Sequence, residues 1–259
     1  VQDNYVVQWG DPGHDNPESG EVETKALPEG LRVMGEEEYS FVLDTQSVPY
    51  IWSQFGRMRL DTFPQPMRVG VGENPLDTPG RFWDPYSFIV GYAGGFPVGI
   101  QFNPEFNVDP EFERGRTWPV HCYGMVGVGR NYSPDTGSGA ELYTVIGHAP
   151  RHLDRNIALV GRIISGMEHL SSMTRGTGAL GFYTEEEAHL RAPIQSIRVA
   201  SDLAESDQPR FEYLSTEGDT FAAYAEARAN RRDPFFIVPA GGADICNIPV
   251  PVRAIEDAD

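Results

Sequence analysis

Apolar residues along this chain come in short runs, and turn-forming residues separate the runs. The opening "YVVQW" runs straight into "GDP", which predicts a strand over residues 1–8 ending in a turn. Residues 9–30 are polar and turn-rich, and "EEYSFVLD" predicts a strand within 31–45. From about 46 to 118 aromatic residues, Pro and Gly alternate with little period, which fits an elaborated loop region or a small subdomain. Order returns with "PVHCYGMVGVGR", "AELYTVIGH" and "IALVGRII", which predict strands over 119–130, 140–147 and 157–163. A helix is expected from Gly166, with Met167, Leu170 and Met173 at helical spacing and Gly176 as its stop. "IQSIRVASDL" predicts a strand over 194–203 from Ile194, Ile197 and Val199. A late helix is expected over 219–231 with Asp219 as N-cap, and "FFIVP" and "CNIPVPVRAI" read as extended. Many strands and few helices point to a barrel or sandwich.

Composition agrees. The chain has 259 residues, 40% hydrophobic and 22% charged, ordinary for a globular protein with a real core. Its 28 Gly and 21 Pro favour short strands and ordered turns over helix bundles. The net charge of −18 repels phosphate backbones, so nucleic acid is not an expected partner. No apolar run reaches the roughly 18 residues of a membrane helix: "NIALVGRII" and "YSFIVGYAGGFPVGI" are broken by Arg or by Gly and Pro. Cys122 and Cys246 form no CxxC motif; they can make one disulfide in an oxidising compartment or remain two buried thiols.

Several motifs invite chemistry that they do not support. "DTGSG" at Asp135–Gly139 carries an Asp-Thr-Gly, but aspartic protease chemistry needs two such carboxylates sharing a proton, and there is one copy, in a polar loop. The small residues Gly124–Gly129 lack the GxGxxG spacing and a following helix; they suit a strand that approaches something closely. His148 and His152 are four apart with "APR" between them and no third ligand, so no metal site is assigned. The acidic "DPGHDNPESGEVE" lacks the EF-hand ligand order.

One stretch is more specific. "GMVGVGRNYSPDTGSGAELYTVIGHAPRHLDRNIALVGRIISGMEHL" resembles the core of a cyclophilin-type peptidylprolyl isomerase. The matching pieces are Met125, Gly139 to Tyr143, Leu153–Asp154, Val160–Gly161 and Gly166–Met167, in family order over about 50 residues. The opening "VVQWGDP" resembles the family's Phe-Met-x-Gln-Gly-Gly-Asp, with Tyr5, Val6 and Gln8 on its Phe, Met and Gln. The resemblance implies a mainly β fold, an eight-stranded antiparallel barrel capped by helices. It implies that the first two strands and first helix of that barrel, and the family's catalytic Arg, fall before Val1. The domain reading that follows is a cyclophilin-like domain over 1–203 with a long insertion at about 46–118, and an extension over 204–259 packed on the barrel. Insertion and tail resemble a divergent, exported bacterial group, which implies a periplasmic or secreted location and allows a Cys122–Cys246 bridge.

The implied activity is cis–trans isomerisation of Xaa-Pro bonds in protein folding. It needs no nucleophile, metal or cofactor, only a site that binds the twisted amide better than either planar form. The implied partners are proline-containing polypeptides. By resemblance Gln8 and Tyr143 are the catalytic candidates, and Tyr5, Val6, Met125, Gly127, Glu141, His152 and Leu153 line the substrate. Several positions depart from the family: Glu141 stands for a Gln, Tyr143 for a Phe, His152 for a Trp or His, Ile157 for a His and Gly127 for an Asn. These changes keep the pocket apolar and strip polar contacts around it. That leaves open a binding module that grips proline-containing segments with little turnover, and a purely structural domain.

Overall fold

The computed structural model describes residues 5–11, 26–42, 50–53, 56–59, 84, 86–87, 89–101, 116–238 and 242–255. In chain order its elements are β1 (Val6–Gly10), β2 (Phe41–Val42), β3 (Tyr50–Ser53), β4 (Gly56–Arg59), β5 (Ile89–Ala93), β6 (Phe96–Gln101), β7 (Arg116–Pro119), β8 (Met125–Val128), β9 (Glu141–Val145), β10 (Leu159–Arg162), α1 (Met167–Ser171), β11 (Phe211–Tyr213), α2 (Asp219–Ala229) and β12 (Val252–Ala254). Single 3-10 turns punctuate the loops. The chain divides into two compact units: residues 1–39, 121–212 and 254–259, and residues 40–120 and 213–253. β11 and β12 pair with each other as a two-stranded sheet.

The first unit is built on an antiparallel sheet in the order β1-β9-β8-β10. Successive side chains of a strand point to opposite faces, so register decides which residues meet. One face carries Val7, Leu142 and Val128, because Val7 pairs with Thr144 and Val128 with Leu142. It is covered by Tyr39, from the turn Glu36–Tyr39, together with Met34 and Ala158. The Trp9 indole N–H donates to the Thr144 hydroxyl on that side at 3.0 Å. Gly124, at φ +84°, lets the chain turn sharply before β8, and its N–H donates to Val145 O at 2.8 Å. Among the described residues β1 and β10 are the edges of this sheet.

The second unit holds a six-stranded antiparallel sheet in the order β2-β7-β6-β5-β3-β4. Ile89, Val90, Tyr92, Val98, Ile100 and Trp118 are buried in it. Gly99 is required by packing: a Cβ there would lie 2.7 Å from the Trp118 ring. Phe221 of α2 sets its ring edge-on to Tyr92, with centroids 4.8 Å apart.

These strands answer the open question at 46–118: its described part is a sheet, not an elaborated loop. Five expectations need correction. The helix after Gly166 ends at Ser171, not at Gly176. Phe235 and Phe236 lie in a turn closed by Phe236 N on Asp233 O, not in an extended segment. Residues 194–203 form no strand; Ile194, Ile197 and Val199 are exposed, and only a 3-10 turn at Ala200–Asp202 is regular. The three-residue step from Ile194 to Ile197 breaks a period of two, so the segment has no continuous apolar face to bury. Helix α2 is capped by Gly218, and Asp219 is its first helical residue, where its carboxylate faces the positive end of the helix. The strand expected over 119–130 is confined to Met125–Val128, because the Cys122–Gly124 turn intervenes. Cys122 and Cys246 are both disulfide-bonded.

Candidate functional site

The other face of the first unit's sheet gathers most of the sequence candidates. β1 pairs Val6 with Val145, Gln8 with Tyr143 and Gly10 with Glu141. β8 pairs Gly127 with Tyr143, and β10 pairs Leu159 with Gly127. Residues directly opposite in an antiparallel sheet share a face. Val6, Gln8, Met125, Gly127, Glu141 and Tyr143 therefore stand on one side of three neighbouring strands.

The ring of Tyr143 occupies the space above Gly127. A Cβ built on Gly127 would collide with its Cζ and hydroxyl oxygen. The missing side chain at 127 thus makes room for the larger one at 143. The Gln8 amide nitrogen donates to a Glu141 carboxylate oxygen at 2.6 Å along the same face. Val6, Met125 and Tyr143 are 5%, 2% and 5% exposed, whereas Gln8 and Glu141 are half-buried.

Under this face lies a chain of buried polar groups. The Tyr143 hydroxyl is 2.8 Å from His121 Nε2, and His121 Nδ1 is 2.8 Å from Asp154 Oδ1. The His121 backbone N–H donates to the same oxygen at 3.0 Å. Arg151 Nε donates to Asp154 Oδ2 at 2.7 Å. The 3-10 turn Arg151–Leu153 presents Arg151 and Asp154 on one side, three residues apart. The side chains of Arg151, Asp154 and His121 are nearly sealed from solvent.

Burial is the largest influence on the Asp154 carboxyl and pushes its pKa up. The hydrogen bonds from His121 and the charge and hydrogen bond of Arg151 outweigh it and leave the pKa below the ordinary value. Asp154 is thus a carboxylate, an acceptor only. As an acceptor it takes the hydrogen bond of His121 Nδ1, which leaves His121 Nε2 to meet the Tyr143 hydroxyl. Burial, and then the charge of Asp154, push the Tyr143 pKa well above that of a free tyrosine, which keeps the hydroxyl protonated as a donor.

Two candidates differ from this group in setting. His152 is exposed and Leu153 half-buried, both in the turn beside Asp154. Tyr5 is 42% exposed just ahead of β1, where its carbonyl accepts from Ile146 N. Asp135 of the "DTGSG" loop serves the loop itself: its carboxylate accepts from Asn131 N and Gly137 N, both within 2.9 Å. Among the described residues no group of three metal-ligating side chains is present, and no helix is long and apolar enough to cross a membrane. Sequence reasoning did not pick out His121 or Arg151, and it took Asp154 only as part of the Leu153–Asp154 match, with no role at the site. A lone His in the apolar run "PVHCYGM" was the available signal, since a histidine buried there must find partners for both ring nitrogens.

The sequence matches no protein-family model and no curated protein. Among solved structures the chain is similar to a cyclophilin, AquaCyp293 from Hirschia baltica, with a TM-score of 0.59 and 18% identity over 100% of this chain and 76% of that one. At that identity the likeness is one of fold: this chain has a mainly β, antiparallel, cyclophilin-type fold, and its sequence has diverged far from that relative.

Proposed function

We propose that the protein binds proline-containing polypeptides on the face shared by β1, β9 and β8 and isomerises their Xaa-Pro bonds. The observation that supports this is the register: Gln8 stands opposite Tyr143, and Tyr143 opposite Gly127, beside apolar Val6 and Met125. An apolar floor suits a proline ring. A neighbouring amide suits the flanking peptide backbone as the Xaa-Pro bond loses conjugation and twists. Export to an oxidising compartment accompanies this reading, and the disulfide-bonded state of both cysteines supports it.

A second reading, tight binding with little turnover, is favoured by one contact. The Gln8 amide donates to Glu141 at 2.6 Å, which occupies a donor that a twisting substrate would need. The test is isomerisation of a short Xaa-Pro peptide with the protein at micromolar concentration, alongside direct peptide binding. The expected result is acceleration that falls by about 10²-fold in Gln8→Ala, the usual loss for one transition-state hydrogen bond. Binding without acceleration would assign the protein to the second reading. Neither binding nor acceleration would overturn both.

A further inference from the structure

We propose that His121 is a positioning residue for this face: held by Asp154 and Arg151, it ties down the Tyr143 hydroxyl and so fixes the ring across Gly127. The functional part of this inference rests on the prolyl-peptide reading above.

Three independent features of the structure meet at one atom, the Tyr143 hydroxyl. Gly127 leaves a gap on the sheet, and Tyr143, the residue opposite, fills it. The hydroxyl then reaches Nε2 of a fully buried histidine at 2.8 Å. The histidine is oriented by two bonds to one carboxylate oxygen, from its Nδ1 and its own backbone N–H. Arg151 holds the second oxygen, so Asp154 cannot rotate without losing bonds on both sides. The two rings lie nearly parallel, 12° apart, with centroids at 6.2 Å.

A phenylalanine at 143 would fill the same gap with no such tether, and the tyrosine ring would pack there without a histidine beneath it. Burying an ion pair and a histidine under a sheet is costly compared with apolar packing. What this arrangement supplies is a single ring orientation. The ring forms part of the floor beside Met125 and Gln8, so its orientation sets the shape offered to a proline ring. His121 acts through Tyr143 and has no contact of its own with a ligand in this scheme.

The experiment compares the unaltered protein with Tyr143→Phe, His121→Leu, His121→Gln and the Tyr143→Phe/His121→Leu double variant. Apparent affinity for an Xaa-Pro peptide is read as KM, or as Kd where turnover is undetectable, and two-bond proton–nitrogen NMR of the His121 ring is recorded in parallel. In the unaltered protein the ring carries its proton on Nδ1 and none on Nε2. Tyr143→Phe and His121→Leu each weaken apparent affinity by about tenfold, and the double variant is no worse than either single one. His121→Gln, whose side-chain carbonyl can accept from the hydroxyl, restores most of the affinity. Thermal unfolding confirms that each variant is folded; should His121→Leu not fold, Tyr143→Phe and His121→Gln carry the test. Unchanged affinity in folded Tyr143→Phe, additive losses, or a proton on Nε2 would overturn the proposal. Failure of the unaltered protein to bind any Xaa-Pro peptide is a different result: it removes the prolyl reading, and the positioning role with it.

Discussion

The two sheets of this protein hold themselves together by different means. In the second unit the core includes Ile89, Val90, Tyr92, Val98, Ile100, Trp118 and Phe221, and the Tyr92 and Thr117 hydroxyls turn to backbone. The Tyr92 hydroxyl lies 2.7 Å from the carbonyl oxygens of both Ile245 and Ile248, and Thr117 donates to Gly99 O at 3.0 Å. In the first unit one face is similarly apolar, with Val128, Leu142 and Tyr39, but the opposite face rests on Arg151, Asp154, His121 and Tyr143. Apolar packing is the less demanding way to stabilise a sheet, because it leaves no ion needing partners. A sealed ionic relay under one face therefore calls for a reason beyond stability. That face also carries Gln8, Met125, Gly127 and Glu141.

The largest test of this contrast is Asp154→Ala. It removes the buried acceptor of both Arg151 Nε and His121 Nδ1 and should cost about 3–5 kcal/mol in a denaturant titration. The same group gives the contrast a pH signature. The folded pKa of Asp154 lies below its unfolded value, so its stabilisation is complete above about pH 4 and is lost as pH falls below that toward the folded pKa. Tyr143 behaves oppositely: its raised pKa gives stabilisation complete below about pH 10 and lost as pH rises further. Asp154→Ala should flatten the acid limb of the stability curve; an unchanged limb would break the comparison.

Phe221→Ala, in the apolar unit, should cost a comparable 3–5 kcal/mol, about what a buried aromatic deletion removes. Its loss should be nearly independent of pH across the acid range, and it should leave the His121 ring signals in place. Gly127→Ala comes next, at about 1–3 kcal/mol by thermal unfolding, because the new methyl meets the Tyr143 ring and must displace it. It should also weaken peptide affinity, whereas Phe221→Ala should not. Thr144→Val is the smallest. It removes the acceptor of the Trp9 indole N–H on the opposite face, at about 1 kcal/mol, with peptide affinity unchanged.

The sequence was most legible where residue pattern and family order agreed. β1, β8, β9 and β10 were all expected, and they form one antiparallel sheet. The second unit's sheet was hidden for a physical reason. β5 is buried at every position, so it shows no alternation, and β6 carries Pro97 and Gly99, which argue against a central strand when read alone. Gly99 is there because the Trp118 ring lies against it, a contact that only the fold reveals. The same holds at the candidate site. Gly127 reads in the sequence as a lost polar contact and Tyr143 as an added hydroxyl. In the structure the two changes are one, since the glycine admits the ring and the hydroxyl meets His121. His121 and Asp154 are 33 residues apart in the chain, and no local pattern links them.

The central claim, that peptide recognition belongs to the relay-backed face, is tested most directly by titrating an isotopically labelled full chain with an Xaa-Pro peptide and following its amide resonances. The account predicts that Gln8, Gly127, Glu141 and Tyr143 shift together and saturably, while Val90, Ile100 and Trp118 stay in place. Saturable shifts confined to the second unit's sheet, or none anywhere at millimolar peptide, would contradict it.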